Sequence, residues 1–139
     1  MKYLLDICAV SELVARNPSD KVVEWLDGLD PEQVYLSVLT IGEIRKGIQK
    51  LPDSQRKAEL HEWLACDLMD QFQGRIISID TEVMLTWGRL VGDLESKGRK
   101  LAAMDSLIAA IVLHEGLTLV TRNEEDFKHA EISLANPWA

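Results

Sequence analysis

Four short apolar runs, separated by amphipathic helical segments, constrain the fold of this chain more than any other feature. The runs are Tyr3–Leu5, Val34–Ser37, Ile76–Ile79 and Leu117–Val120. The segments between them repeat apolar residues at helical spacing, and the longest runs from about 54 to 72. Parallel strands need crossover connections of the length that helices provide. The pattern therefore predicts a three-layer α/β/α sandwich whose parallel sheet has four strands, or five if a short strand forms near 132–134.

The size of the chain bounds its organisation. With 139 residues, 47% of them hydrophobic, the chain has enough apolar side chains for one core. No repeat or linker divides the sequence, so we expect residues 1–139 to form a single domain. The first residues predict neither a signal peptide nor a membrane span, so we expect a cytoplasmic protein. Cys8 and Cys66 are the only cysteines, and we expect both to be reduced.

The net charge of −8 argues against a protein that coats nucleic acids, because phosphate binding relies on a basic surface. An acidic chain can still be a nuclease if its carboxylates converge on divalent cations and basic residues line the approach. Three basic groups are available for that approach: Arg45, Lys46 and Lys50; Lys97, Arg99 and Lys100; Arg122 and Lys128. Each group is equally consistent with ordinary solvated charges.

Acidic and amide residues occur where the predicted strands end. Asp6 directly follows the first strand, Glu43 lies in the first predicted helical turn after the second, and Asn123 and Asp126 follow the fourth. Asp105 opens the helix that leads into the fourth strand. In open parallel sheets, ligands bind at the carboxyl ends of the strands. Carboxylates gathered there repel each other unless a cation lies among them, so the sequence predicts a Mg²⁺ or Mn²⁺ site.

Some of these acids also have structural explanations. Thr40 and Glu43 match a capping box, in which Glu43 accepts a hydrogen bond from the backbone amide of Thr40. Asp105 can instead complement the helix macrodipole. Asp80 is explained as a helix N-cap and is left out of the predicted site. Asp6 is the acid that capping and packing explain least well.

Four sequence blocks together carry a resemblance to a known family. They are Leu4-Leu5-Asp6, Leu36-Ser37-x-x-Thr40-x-x-Glu43-Ile44-Arg45-x-Gly47, Asp105-x-Leu107-Ile108-Ala109-Ala110 and Val120-Thr121-Arg122-Asn123-x-x-Asp126-Phe127. In this order and spacing the blocks resemble the PIN-domain nucleases, and in particular their VapC-like (FitB-like) toxin branch. The resemblance extends over nearly the whole chain. It implies an α/β PIN-like sandwich and a Mg²⁺-dependent endoribonuclease that acts as the toxin of a type II toxin–antitoxin pair.

The resemblance also implies roles for individual residues. Asp6, Glu43 and Asp105 match the catalytic metal ligands, and Asp126 or Asn123 supplies the fourth position, since family members differ there. One or two Mg²⁺ ions, with Mn²⁺ as a substitute, activate a water that attacks an RNA phosphodiester. The hydroxyl groups of Ser37 and Thr121 are expected to support the ligands. The expected contacts to RNA or antitoxin are Arg45, Lys46 and Arg122.

One position departs from the family pattern. Most relatives have Asn two residues after the first Asp, where this chain has Cys8. A thiol is a weak hydrogen-bond donor, so we expect a supporting role for Cys8 with an altered rate or metal preference, or a loss of activity. The alternative function is therefore a catalytically silent PIN-like module that binds RNA or a protein partner.

The resemblance finally implies partners. A cognate antitoxin is expected to wrap the toxin with its C-terminal segment and to block the acidic pocket, often with a basic side chain. The charge of −8 suits a basic partner segment. A homodimer is also implied, and no membrane association. Transfer and ribosomal RNAs are both open as substrates, because groove shape decides that choice.

Overall fold

The sheet has five parallel strands. In the computed structural model, which describes residues 1–139, the strands are β1 (Tyr3–Leu5), β2 (Val34–Ser37), β3 (Ile76–Ile77), β4 (Thr118–Val120) and β5 (Leu134–Ala135). Their order is β3-β2-β1-β4-β5, and every pair is parallel. The predicted fifth strand forms, although at Leu134–Ala135 rather than near 132–134. The predicted third strand ends two residues early, because the chain leaves the sheet to reach Asp80, which caps the following helix.

Helices connect the strands. They are α1 (Ile7–Glu12), α2 (Asp20–Asp27), α3 (Val38–Gln49), α4 (Gln55–Glu62), α5 (Met69–Gln71), α6 (Thr81–Ser96) and α7 (Ala103–Glu115). A π-helical stretch at Trp63–Leu68 joins α4 to α5, so the long helix predicted from about 54 to 72 is a single helical rod with a wider middle turn. Short 3₁₀ turns occupy Pro31–Gln33 and Glu124–Phe127. None of the helices combines the length and the apolar composition needed to cross a membrane.

Two separate cores cover the two faces of the sheet. Successive strand residues point to opposite faces. Leu4 and Leu119 accordingly pack in the core that includes α7 and the start of α6, whereas Leu5 and Val120 pack in the core that includes α1, α3 and the π-helical stretch. The predicted three-layer α/β/α arrangement is therefore confirmed.

The strand order reverses at β1. The chain moves outward from β1 to β2 and β3 and then returns to the other side of β1 with β4. At the carboxyl ends of this central pair, the backbone amide of Asp6 donates a hydrogen bond to the carbonyl of Val120 over 3.2 Å. Such a switch point opens a crevice at the sheet edge, and Asp6 and Thr121 are the first residues beyond the strands there.

Candidate metal centre

Asp6 is buried at the end of β1, with 6% of its surface exposed. Its Oδ1 accepts a hydrogen bond from the amide of Ala9 over 3.0 Å and so caps α1. The prediction that capping does not explain Asp6 is therefore wrong in part. Burial nevertheless raises the pKa of Asp6 above its ordinary 3.8, although hydrogen bonds from Thr121, Ala9 and Cys8 lower it. The hydrogen bond of a helix cap by itself favours the charged carboxylate and lowers its pKa. Because the pKa of Asp6 is raised instead, desolvation has a larger effect on it than the cap.

Glu43 does not form the predicted capping box. Helix α3 begins at Val38 rather than Thr40, and its N-cap is Ser37, whose Oγ accepts from the amide of Thr40 over 3.3 Å. Glu43 thus lies in the second turn, and its Oε1 is buried without a hydrogen-bond partner. Burial raises the pKa of Glu43, and the charges of Asp105 and Asp6 raise it further, while Lys46 lowers it.

Asp105 lies in the first turn of α7, which has no side-chain cap. The helix macrodipole alone favours the charged form of an acid at that place. The pKa of Asp105 is instead raised, first by burial and then by the charges of Asp126 and Asp6. Complementing the macrodipole is therefore not the dominant influence on Asp105. The four carboxylates that act on one another, Asp6, Glu43, Asp105 and Asp126, are called the acid group below.

The two candidates for the fourth position, Asp126 and Asn123, make different contacts. Asp126 is exposed, and its charge acts on Asp105. Asn123 is also exposed, and its Nδ2 donates to the Sγ of Cys8 over 3.6 Å. Thr121 is fully buried between them, hydrogen bonds to Asp6, and accepts the amide of Asn123 over 3.0 Å. The fourth ligand beside Asp6, Glu43 and Asp105 therefore stays a prediction, with either residue open.

Cys8 occupies a half-buried position between Asp6 and Asn123. Burial raises the pKa of its thiol, and the charges of Asp6 and Glu43 add to that rise, whereas Arg122 and Asn123 lower the pKa. The thiol therefore stays protonated near neutral pH and donates weakly to Asp6. Cys66 lies exposed on the π-helical stretch, and both cysteines are free, as predicted.

The predicted basic contacts are placed differently from one another. Lys46 lies near enough to Glu43 to lower its pKa, and Arg122 does the same for Cys8. Arg45 is exposed on α3, and a helical offset of two residues turns it to a different face from Glu43. Sequence reasoning missed Glu12, which forms an ion pair with Arg122. No sequence signal connects these two residues, because only the fold brings α1 beside the segment that follows β4.

The donor set fits a hard divalent cation. A buried carboxylate oxygen without a partner and several carboxylates that raise each other's pKa are both relieved by a cation, and oxygen ligands suit Mg²⁺ and Mn²⁺. As the side chains stand, no group of three or more His, Cys, Asp or Glu is drawn together with ligand spacing. The acids therefore lie near one another without forming a set of metal ligands.

Comparison with known proteins defines the class. A family model described as PIN domain matches residues 3–132, and the chain belongs to the PIN-domain family. It is 36% identical to Toxin FitB of Neisseria gonorrhoeae over 135 residues, or 97% of each chain. It is 27% identical to VapC ribonuclease Y4jK of Sinorhizobium fredii, over 97% of this chain and 96% of the relative. The crystal structure of FitAcB from Neisseria gonorrhoeae matches with a TM-score of 0.92 at 36% identity, over 98% of each chain. The predicted resemblance to the FitB and VapC proteins is confirmed.

Proposed function

We propose that this protein is a Mg²⁺-dependent endoribonuclease of the VapC and FitB type, and that residues 1–139 form one nuclease domain. The observation that carries the proposal is the buried, unpartnered Oε1 of Glu43 beside Asp6 and Asp105 at the strand-order switch point. The names of the relatives, a toxin and a VapC ribonuclease, support the same class of reaction. PIN-domain ribonucleases generally depend on divalent metal ions.

Individual side chains would have different roles in metal binding. Asp6, Glu43 and Asp105 would bind it, and Asp126 or Asn123 would complete the set. When bound, Mg²⁺ or Mn²⁺ lowers the pKa of water and stabilises negative charge on the phosphate. Hydrogen bonds from Ala9 and Thr121 fix the carboxylate of Asp6.

The backbone around Glu43 is fixed as well. Ser37 caps α3 through the amide of Thr40, and its Oγ also lies 3.4 Å from the Thr40 hydroxyl, so the start of the helix that carries Glu43 is held in place. Ser37 and Thr121 thus support the acid group from the ends of β2 and β4, the two strands that flank β1. Lys46 and Arg122 would face an RNA strand from the rim, where their positive charges offset part of the repulsion between RNA and the acids.

An apolar groove beside Glu43 suits the proposed antitoxin. The groove has a cavity volume of about 320 Å³, and its lining includes Ile7, Ile44, Ile48, Leu60 and Trp63 together with Glu43. An amphipathic antitoxin segment would bury apolar side chains there and place a basic side chain at the acid group. Such a segment would compete with RNA for the same entrance. The homodimer and the cytoplasmic location remain parts of this proposal.

Cleavage of cellular RNA by the purified, antitoxin-free protein tests the proposed function. We expect cutting with Mg²⁺ or Mn²⁺, none with EDTA, and a loss of at least about a hundredfold in the Asp105→Asn variant, since even the partners of metal ligands contribute 10–100-fold. Electrophoresis of total RNA and a labelled oligonucleotide provides the measurement. If the wild-type protein cuts nothing with either metal, the silent binding module becomes the better description. Equal cutting by the variant would show that the cleavage does not come from the acid group.

Restoring the usual family residue is expected to strengthen the site. In Cys8→Asn an amide N–H replaces the weak S–H donor to Asp6, so the charged carboxylate is better stabilised. We expect Mn²⁺ affinity and the cleavage rate to rise by up to about tenfold, within the range found for groups that support metal ligands. Titration calorimetry and cleavage kinetics measure both, with Cys66→Asn as the matched control at an exposed cysteine. Unchanged or weaker Mn²⁺ binding in Cys8→Asn would contradict this account.

A further inference from the structure

A half-buried glutamate links the end of α1 to the segment that follows β4. The Glu12 side chain is 13% exposed, and both its oxygens are engaged. Oε2 accepts the amide of Ser19 over 2.8 Å, and Oε1 accepts the indole N–H of Trp138 over 3.3 Å. Oε1 also forms an ion pair with the Nη2 of Arg122 over 3.5 Å. Glu12 thus joins the loop after α1 to two segments more than a hundred residues away in sequence.

Arg122 is held from two sides and open on another. Its guanidinium carbon lies 5.0 Å from the centroid of the Trp138 ring, while Glu12 pairs with its Nη2. The side chain is still 56% exposed, so part of its N–H fork faces solvent. Its chain neighbours are Thr121, which bonds to Asp6, and Asn123, which bonds to Cys8. The guanidinium is therefore a fixed positive charge at the rim of the acid group.

We propose that Glu12 and Trp138 are positioning residues that hold the guanidinium of Arg122 ready to bind a backbone phosphate of RNA. This inference rests on the proposed function. The chain carries a net charge of −8, so an RNA strand approaching the acids needs a cation at a defined place. The planar fork of Arg matches phosphate oxygens in pairs, and a side chain fixed in advance loses less entropy on binding.

RNA binding to the full chain tests this positioning without cleavage. The probe is a fluorescein-labelled single-stranded RNA, and its Kd is measured on Asp105→Asn protein by fluorescence anisotropy at several salt concentrations. We expect Arg122→Ala to weaken binding about tenfold, as for a good phosphate contact, and to reduce the salt slope by about 0.7. Arg89→Ala is the charge-matched control, since Arg89 is exposed on α6. An Arg122→Ala effect no larger than the control overturns the proposal.

Substitutions at Trp138 separate positioning from a merely structural role, because they do not change the charge. We expect Trp138→Leu to weaken RNA binding about threefold and Trp138→Phe, which keeps a ring under Arg122, to restore most of it. In an Arg122→Ala background, Trp138→Leu should have no further effect on Kd. Additive effects of the two substitutions on Kd would show that Trp138 does not act through Arg122. A lower Tm in Trp138→Leu with unchanged Kd would show that Trp138 only stabilises the fold.

Glu12 is tested in the same way, by a double-mutant cycle with Arg122→Ala. Glu12→Gln keeps the acceptor for Ser19 and Trp138 but removes the charge, so it both relieves repulsion of RNA and releases Arg122. We expect Glu12→Gln to strengthen binding about threefold more in the Arg122→Ala background than beside Arg122. Equal effects in both backgrounds overturn the role of Glu12. This test can fail separately from the proposed function. A wild-type chain that binds RNA through Arg122 yet cuts nothing refutes only the nuclease activity. A chain that does not bind RNA refutes both the nuclease activity and the role of Arg122.

Discussion

Asp6→Asn is expected to reduce metal-dependent RNA cleavage by at least about a hundredfold while making the metal-free protein more stable. Asn remains a good N-cap, so the bond from the Ala9 amide is kept. The substitution removes a buried charge that burial disfavours and that raises the pKa of Glu43 and Asp105. Each kcal/mol gained in the free energy of unfolding should raise the Tm by roughly 3 °C in a chain of this size. Cleavage kinetics and thermal unfolding in EDTA measure the two effects.

Asp80→Asn provides a closely matched control for this pair of effects. Asp80 also follows a strand and caps a helix, since its Oδ1 accepts the amide of Val83 over 2.9 Å, but it lies outside the acid group. We expect activity within about twofold of the wild type, as for a substitution that keeps a cap and touches no ligand. Equal activity losses in the two variants would show that helix capping, rather than metal binding, explains Asp6.

Mg²⁺ or Mn²⁺ is expected to stabilise the folded chain strongly, by about 2.7 kcal/mol at about 100 times its Kd. Binding to the folded acid group has no counterpart in the unfolded chain, so the gain appears directly in the free energy of unfolding. The corresponding rise in Tm should be roughly 8 °C. Thermal unfolding followed by fluorescence, with and without EDTA, measures it. Sodium chloride at the same ionic strength is the control, because screening alone also reduces repulsion.

The pH dependence of this stabilisation has a definite sign. Asp6, Glu43 and Asp105 have raised pKa values in the metal-free fold, against ordinary values of 3.8, 4.5 and 3.8. The folded chain therefore holds protons that the unfolded chain has released. Without metal, the free energy of unfolding accordingly falls as the pH rises from near 4 through the raised pKa values. Metal binding needs the carboxylates charged, so the gain in Tm should be larger at about pH 7.5 than at about pH 5. A gain independent of pH, or one that sodium chloride reproduces, would contradict a carboxylate site.

The sequence predicts the sheet, and the position of Asp6 and Glu43 at its edge, because both depend on local patterns. Tyr3–Leu5 and Val34–Ser37 are apolar runs with clear ends, and parallel pairing places whatever follows them at one edge. Asp6 and Glu43 reach that edge for this reason alone. The end of α7 is also set by a local signal, since Gly116 adopts a positive φ of 66°, a conformation that favours glycine.

The errors arise where nearby alternatives compete or where distant residues meet. Ser37 and Thr40 are both good caps, and pattern alone did not show that the N-cap of α3 is Ser37, three residues before Thr40, which removes the capping box. The π-helical stretch keeps the apolar spacing of an α-helix closely enough to remain hidden. The contacts of Glu12 with Arg122 and Trp138 join residues more than a hundred positions apart, and only tertiary structure reveals them.

The place of β1 in the sheet has a consequence for biosynthesis. Among the strands of the sheet, β1 is synthesised first, yet it lies between β2 and β4, and its second partner is made only when residues 118–120 have been added. Until then its edge stays unpaired, and Asp105 and Asp126 have no place beside Asp6. In a growing chain, the acid group can therefore assemble only after β4 has been added beside β1.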